Sequence, residues 1–235
     1  MNADQIIALL ETKANPTYRE NVVKLIPQLP QQGGGAWTII GVPTGDLRGL
    51  LKVILREVGG ERGYRETLEL AEAAFQRRTI ELVSVSYAAL NKVKRFWQPD
   101  LLQHIRNWIP KIADWAVCDG TGFLLGEMLL RGMITYPDIE DLQQHESLWG
   151  RRLSIVALVL PMRQGFGDVD YYLKAITCFC DSREKMIYKA VSWVLREGTK
   201  SNPDKIRSFL DQHRQTLHGS VLREVNNKLT KGTKK

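Results

Sequence analysis

The sequence predicts an all-α protein, and three observations support that class. Apolar residues recur at helical spacing through nearly all of the 235 residues, and no run alternates as a β-strand does. Proline opens several of the apolar segments, at Pro16, Pro137 and Pro203, as is typical of a first helical turn. Glycine closes others, at Gly132 and Gly198.

Thirteen helices are predicted, with boundary errors of about 2 to 4 residues. In order they cover residues 2–13, 16–27, 44–58, 62–76, 78–96, 99–111, 114–131, 137–145, 147–163, 168–180, 183–197, 203–213 and 217–229. Successive pairs take about 35 to 40 residues, the length of a HEAT or armadillo repeat, which indicates a helical solenoid (an α-α superhelix). The same periodicity permits a generic helical bundle.

The chain is predicted to form one domain over residues 1–235, because no linker is evident after Ala36. Residues 31–35 form the one predicted flexible connector, and a basic tail is expected from about residue 230. No apolar run reaches the ~18 residues that span a bilayer. The first residues also lack the pattern of a secretory signal, so we expect a cytoplasmic monomer, nucleoid-associated if the source is bacterial.

The net charge of +7 is unevenly distributed along the sequence. Residues 1–180 contain 20 basic and 20 acidic residues, whereas residues 181–235 contain 13 basic and 6 acidic ones. Such clustering favours a polyanionic partner, although composition alone does not distinguish nucleic-acid binding from a basic surface without that role. The three cysteines, Cys118, Cys178 and Cys180, are expected to be reduced and mostly buried, and no metal site is predicted.

The segment 114–131 carries the most informative pattern. Four of its residues recur at i, i+4, i+7 and i+11 and therefore share one helical face. They are Trp115, Asp119, Gly122 and Gly126, whereas Val117, Leu124, Leu125 and Met128 form the opposite, apolar stripe. A carboxylate, an indole and two glycines on an outward face predict a surface that a ligand approaches closely.

A second helix, at 184–197, has a basic face with an aromatic border. Opposite its apolar stripe lie Lys185, Lys189, Ser192 and Arg196, and Trp193 is at the edge of that basic face. The face is a candidate DNA-binding surface. It is also compatible with a solvated charged face whose tryptophan packs against a neighbouring helix.

The helix at 147–163 adds two arginines next to an apolar surface. Trp149 shares the side of Leu153 and is predicted to lie in the core. Arg151 points away from that core and Arg152 lies on its flank. A flanking arginine can bind phosphate with two parallel hydrogen bonds, or it can pair with a carboxylate inside the protein.

Together these residues resemble the DNA alkylation repair family of AlkD-like glycosylases. The resemblance is carried by Trp115-x-x-x-Asp119, by the residues at 148–152, and most densely by the segment 189–203, which contains Trp193. Residues 41–48 are similar to the family's N-terminal segment, and the likeness runs from about Ile40 to the C-terminus.

The resemblance implies a HEAT-like solenoid with a concave basic cleft that excises cationic N3- and N7-alkylpurines from duplex DNA, with no cofactor. By position, Trp115, Asp119 and Trp193 line that cleft as catalytic residues, and Arg152 contributes to DNA binding. A cationic purine leaves without protonation, so a fixed carboxylate has only to stabilise positive charge on the sugar and orient water. Tryptophan rings attract the cationic nucleotide by about 0.5 to 2 kcal/mol.

Two departures from the family pattern keep other functions open. Asp114 stands where a second aromatic residue is typical, and residues 74–76 lack an acidic residue often found there. Arg151, Lys185, Lys189 and Arg196 are further candidate DNA-binding residues of the glycosylase. One alternative is a non-catalytic solenoid that binds duplex DNA through phosphates, for which Lys185, Lys189 and Arg196 would matter and Asp119 would not. The other is a protein-binding scaffold.

Overall fold

A computed structural model describes residues 1–26, 37–56 and 58–233, and it confirms the all-α class. In this part of the chain the one β feature is an isolated parallel bridge between Thr38 and Thr79. The connector predicted at residues 31–35 lies outside the described residues. The C-terminal helix ends at Lys231, and the last two residues of the predicted basic tail are also outside the described part.

The α-helices are numbered in chain order. They are α1 (Ala3–Glu11), α2 (Pro16–Leu25), α3 (Thr44–Ile54), α4 (Gly60–Arg77), α5 (Ile80–Lys92), α6 (Leu101–Trp108), α7 (Trp115–Leu130), α8 (Leu148–Val156), α9 (Val159–Gln164), α10 (Val169–Ile176), α11 (Lys185–Gly198), α12 (Pro203–Gln212) and α13 (Gly219–Lys231). Short 3-10 helices cover Lys94–Phe96, Ile109–Lys111, Tyr136–Gln144 and Thr177–Phe179. No helix in the described ranges is both long and apolar enough to cross a membrane.

Two compact units make up the chain, Met1–Gly120 and Thr121–Lys235, and the boundary between them falls inside α7. Each unit has its own buried apolar residues. The single domain over 1–235, the solenoid and its concave cleft stay predictions.

Aromatic residues form the centre of the first unit. The ring of Phe75 stacks on Trp108 with centroids 4.9 Å apart, and Trp37 packs edge-on against Phe75 at 5.6 Å. Both indole N–H groups have acceptors: Trp37 donates to the carbonyl oxygen of Lys111 at 3.0 Å, and Trp108 donates to Glu72 at 2.9 Å. Such pairing lets large amphipathic rings be buried without an unsatisfied donor.

A buried carboxylate on α5 binds the backbone of the segment that precedes α3. Glu81, with an exposed fraction of 7%, accepts hydrogen bonds from three consecutive backbone N–H groups, those of Ile40, Gly41 and Val42, at 3.0, 2.7 and 3.4 Å. Gly41 has a φ of +90°, and a Cβ there would lie 2.5 Å from that of Arg19. Glycine is therefore required at this turn.

Helix α11 is central to the second unit, where it packs against α8, α9 and α13. Ile187, Ala190, Val191 and Val194 are buried, as the apolar spacing predicts, and Leu195 is buried as well. Trp149 of α8 is 3% exposed, which confirms its assignment to the core.

The predicted helix at 147–163 is wrong in one respect, because it is two helices. α8 ends at Val156 and α9 begins at Val159. Pro161 explains the break: it has no N–H to donate to the carbonyl of Ala157, and its ring would clash with that carbonyl in a continuous helix.

The segment predicted as a helix at 137–145 folds as the 3-10 helix Tyr136–Gln144. Its start is fixed by a capping box, in which the side chain of Asp138 accepts from both the N–H and the hydroxyl of Thr135, at 2.6 and 2.8 Å. Pro137 marked where the segment begins, but a proline at the start does not distinguish an α-helix from a 3-10 helix.

Candidate functional site

The start of α7 is fixed by Asp114, the residue that departs from the family pattern. Its Oδ1 accepts from the backbone N–H groups of Ala116 and Val117, at 2.8 and 2.9 Å, so the carboxylate caps the helix. The side chain is fully buried, and Oδ2 has no hydrogen-bond partner. Burial raises the pKa of Asp114, and the charge of Asp119 adds to the rise, whereas the two backbone hydrogen bonds oppose it.

Trp115 follows the cap and is partly exposed. Its indole N–H donates to the carbonyl oxygen of Leu25, the last residue of α2, at 3.1 Å. This hydrogen bond joins two segments 90 residues apart and fixes the orientation of the indole plane. Asp119 lies one helical turn after Trp115 and is partly exposed as well. The structure thus presents the indole and the carboxylate as neighbours on one side of α7.

Asp114 leads to a stability prediction with a defined pH dependence. Asp114→Ala is expected to lower the free energy of unfolding by about 1 to 2 kcal/mol, because the helix loses its cap. Asp114→Asn retains a capping oxygen and should lose less. Denaturant unfolding at pH 7, monitored by circular dichroism, measures both.

The sign of the pH effect follows from the raised pKa. Since the folded state holds the Asp114 proton more tightly than the unfolded state, this group's contribution to stability falls as the pH rises from about 4 through its folded-state pKa. The free energy of unfolding of Asp114→Asn, minus that of the wild type, should therefore increase over this window. A flat difference would contradict the assignment.

The two glycines predicted to face a ligand are instead packed inside the second unit. A Cβ at Gly122 would lie 2.5 Å from Cγ1 of Val156, and one at Gly126 would lie 2.8 Å from the carbonyl oxygen of Ala157. That carbonyl is the one to which Pro161 cannot donate. The glycines do allow a close approach, as their spacing suggested, but the approaching group is the end of α8 and not a ligand.

On α11 the predicted basic face is divided between solvent and α13. Lys185 and Lys189 are exposed, as expected for groups that contact an external anion. Ser192 is 1% exposed and donates to Glu224 of α13 at 2.7 Å. Arg196 also pairs with Glu224, at 2.7 Å, and desolvation by burial lowers the pKa of its guanidinium despite that carboxylate. The prediction that Arg196 faces DNA is therefore corrected: Arg196 joins α11 to α13.

The two arginines of α8 both bind backbone carbonyl oxygens of the protein. Arg151 points away from the core, as predicted, but its Nη1 donates to the carbonyl oxygens of His145 and Glu146, each at 2.8 Å. Arg152 is 5% exposed, and its Nη1 donates to the carbonyl oxygen of Met186 in α11. Because a guanidinium buried to this degree is shielded from solvent, Arg152 is corrected from a flanking phosphate ligand to an internal group.

Trp193 lies in α11 and is partly exposed. Its ring packs edge-on against Phe123, with centroids 5.6 Å apart and planes at 87°. Lys185, Lys189 and Trp193 are spaced by four residues each and therefore form one line along α11. Sequence spacing predicted a basic face with Trp193 at its edge, but it did not reveal the partners Phe123, Glu224 or Leu25, because those contacts join distant parts of the chain.

Among the described residues, no three His, Cys, Asp or Glu side chains are close enough together to hold a metal ion. The cysteines are free thiols: Cys118 and Cys180 are buried and Cys178 is exposed. Burial raises the pKa of Cys180 to about 12, so this thiol is protonated at neutral pH.

Comparison with known proteins identifies the family. Residues 6–229 match the family described as DNA alkylation repair enzyme. The chain belongs to this family. The resemblance seen in residues 115–119 and 189–203 is thereby confirmed, and the wider family role, DNA alkylation repair, applies to this chain. No curated protein matches the sequence significantly.

A solved structure shares the fold of this family member. It is described as "Predicted DNA alkylation repair enzyme from Enterococcus faecalis", and it superposes with a TM-score of 0.73 at 24% sequence identity. The similarity covers 93% of this chain and 98% of the other one.

Proposed function

We propose that this DNA repair enzyme is a DNA glycosylase that hydrolyses the N-glycosidic bond of cationic N3- and N7-alkylpurines in duplex DNA. The observation that carries the proposal is the pairing of Trp115 with Asp119 on the first two turns of α7, partly exposed, in a chain of the DNA alkylation repair family. A carboxylate next to an indole suits a substrate whose positive charge passes from the base to the sugar as the bond breaks.

Asp119 acts on the sugar in this proposal. As the bond from C1′ to the purine nitrogen lengthens, the electron pair leaves with the purine and neutralises it, and positive charge develops on the deoxyribose. The Asp119 carboxylate stabilises this charge and orients the water that attacks C1′. No general acid is required, because the alkylated purine is already cationic.

Trp115 and Trp193 are the proposed aromatic contacts. The N–H of Trp115 is occupied by the carbonyl of Leu25, so its ring face and not its donor is available to a cationic nucleotide. An indole face attracts such a cation by about 0.5 to 2 kcal/mol and does not depend on which purine carries the alkyl group. Trp193 is assigned by its place in the family motif.

Lys185 and Lys189 are the proposed phosphate contacts on α11. Replacing both by glutamine should weaken binding equally on methylated and unmodified duplexes, because phosphates carry no information about the lesion. The slope of log K against log salt concentration should fall by about 2, close to one for each lost contact. Fluorescence anisotropy measures both quantities.

Lys13→Gln/Lys52→Gln is the matched control for these lysines. It removes the same charge from two exposed lysines of the first unit. A slope reduced as much by the control as by Lys185→Gln/Lys189→Gln would contradict a specific contact at α11.

The proposed activity is tested by incubating the protein with methylated duplex DNA and detecting free 7-methylguanine and 3-methyladenine by chromatography. Release by the wild type supports the glycosylase. Salt-sensitive binding without base release would indicate the non-catalytic DNA-binding function instead. If the protein neither binds DNA nor releases base, the protein-binding scaffold is the remaining hypothesis.

A further inference from the structure

The helix α13 runs parallel to α11 and lies beside it. The ring of Tyr188, in the first turn of α11, stacks on His218, the N-cap of α13, with centroids 4.0 Å apart. Further along both helices, Ser192 and Arg196 contact Glu224. The contacts advance in the same direction on both helices, which establishes the parallel arrangement. Helices packed in this way have axes about 8 to 10 Å apart.

The two helices form a strongly basic pair. Between them they contain six basic residues and two acidic ones, Glu197 and Glu224. Both carboxylates are neutralised within the second unit: Glu224 pairs with Arg196 at 2.7 Å, and Glu197 pairs with Arg163 at 2.8 Å and Lys200 at 2.5 Å. The exposed groups of the pair therefore present uncompensated positive charge.

On α13 this charge follows a line of its own. Arg223, Asn227 and Lys231 are spaced by four residues and lie on one helical stripe. Arg223 and Lys231 are exposed, and Asn227 is half-buried. Asn227 and Lys231 follow Glu224 by three and seven residues, so they lie on the side of α13 that faces α11. Because Tyr188 is level with His218, Lys185 and Lys189 lie level with the start of α13. The stripe on α13 therefore begins beyond Lys189 and continues toward the C-terminal end of the helix pair.

We infer that Arg223, Asn227 and Lys231 form a second line of contacts to the DNA backbone, which continues along the helix pair from the level at which Lys185 and Lys189 end. This inference rests on the proposed DNA binding and extends its footprint to the C-terminal helix. From Arg223 to Lys231 the helix rises about 12 Å, which matches three to four base steps of about 3.4 Å. A guanidinium, an amide and an ammonium are all donors to phosphate oxygens.

The test is binding of an undamaged duplex at several salt concentrations, by fluorescence anisotropy, with the full-length chain. Arg223→Gln/Lys231→Gln should lower the slope of log K against log salt concentration by about 2. Arg65→Gln/Lys13→Gln removes the same two kinds of charge from exposed positions of the first unit and should keep the wild-type slope. Thermal melting of each variant verifies folding.

A slope for Arg223→Gln/Lys231→Gln equal to that of its control overturns the inference, and so does a wild type that does not bind the duplex. The assay uses undamaged DNA and needs no base release. A wild type that binds DNA but releases no base, while the α13 variant still loses its salt slope, would contradict the glycosylase and support the second line of contacts.

Discussion

Asp119→Asn is expected to lower the single-turnover rate of base release from methylated duplex DNA by about 10²- to 10³-fold. Losses of this size are typical when one preorganised group that stabilises transition-state charge is removed, and they correspond to about 2.7 to 4 kcal/mol. The amide keeps the shape of the side chain and removes its charge. Binding of the duplex should not weaken, because a negative charge near phosphates is lost.

Asp211→Asn is the matched control for that variant, since Asp211 is an exposed aspartate on α12. It should release base at the wild-type rate. If Asp119→Asn also retains the wild-type rate, Asp119 has no part in the reaction. Quench-flow sampling with enzyme in excess over DNA separates the chemical step from product release.

Glu81→Ala is expected to lower the free energy of unfolding by about 3 to 5 kcal/mol. The substitution removes the acceptor for three backbone N–H groups, at Ile40, Gly41 and Val42, in a site with little access to water. Each buried donor left unpaired costs about 1 to 3 kcal/mol, and the third bond is the weakest of the set at 3.4 Å. Urea unfolding measures the loss.

Glu69→Ala provides the comparison, because Glu69 is exposed on α4 of the same unit. Its effect should stay within about 0.5 kcal/mol. Glu81→Gln is expected to fall between Glu81→Ala and the wild type, since its amide has one oxygen that accepts from these N–H groups. Equal stabilities for Glu81→Ala and Glu69→Ala would show that the segment at 40–42 is held in another way.

Periodicity predicted the helices well because most of them bury an apolar stripe, although α2 has no buried residue. The stripe of α7 illustrates this, since Val117, Leu124, Leu125 and Met128 are all buried as their spacing predicts. Pro161 also indicates the break after Val156, because a proline disrupts a continuous helix. The prediction of one helix missed it because the apolar spacing continues through the proline.

The site was predicted in part. Spacing placed Trp115 and Asp119 one turn apart on a helix and placed Lys185 and Lys189 on the side of α11 that is exposed. The functional roles of these residues stay predictions. Spacing within one helix could not show which other helix packs against a given face of it. Gly122 and Gly126 share the face of Asp119 on a helical projection, yet the end of α8 lies against them.

The arginines show that spacing within one helix also does not predict the partners of charged side chains. Arg196 lies on the basic stripe of α11, but its partner Glu224 is 28 residues away in the sequence, and no local pattern connects them. Arg152 belongs to a motif of the family, and its burial under the backbone of α11 depends on tertiary packing. A helical projection gives the direction of a side chain, whereas the neighbouring helices determine whether it reaches solvent.

The glycosylase itself is tested most directly by quantifying free alkylpurine and abasic sites in methylated duplex DNA after one turnover with the wild-type protein. We predict that 7-methylguanine or 3-methyladenine appears together with an equal number of abasic sites, and that Asp119→Asn shows neither on the same time scale. Duplex DNA that is bound by the wild type but keeps all of its alkylated purines would contradict this account.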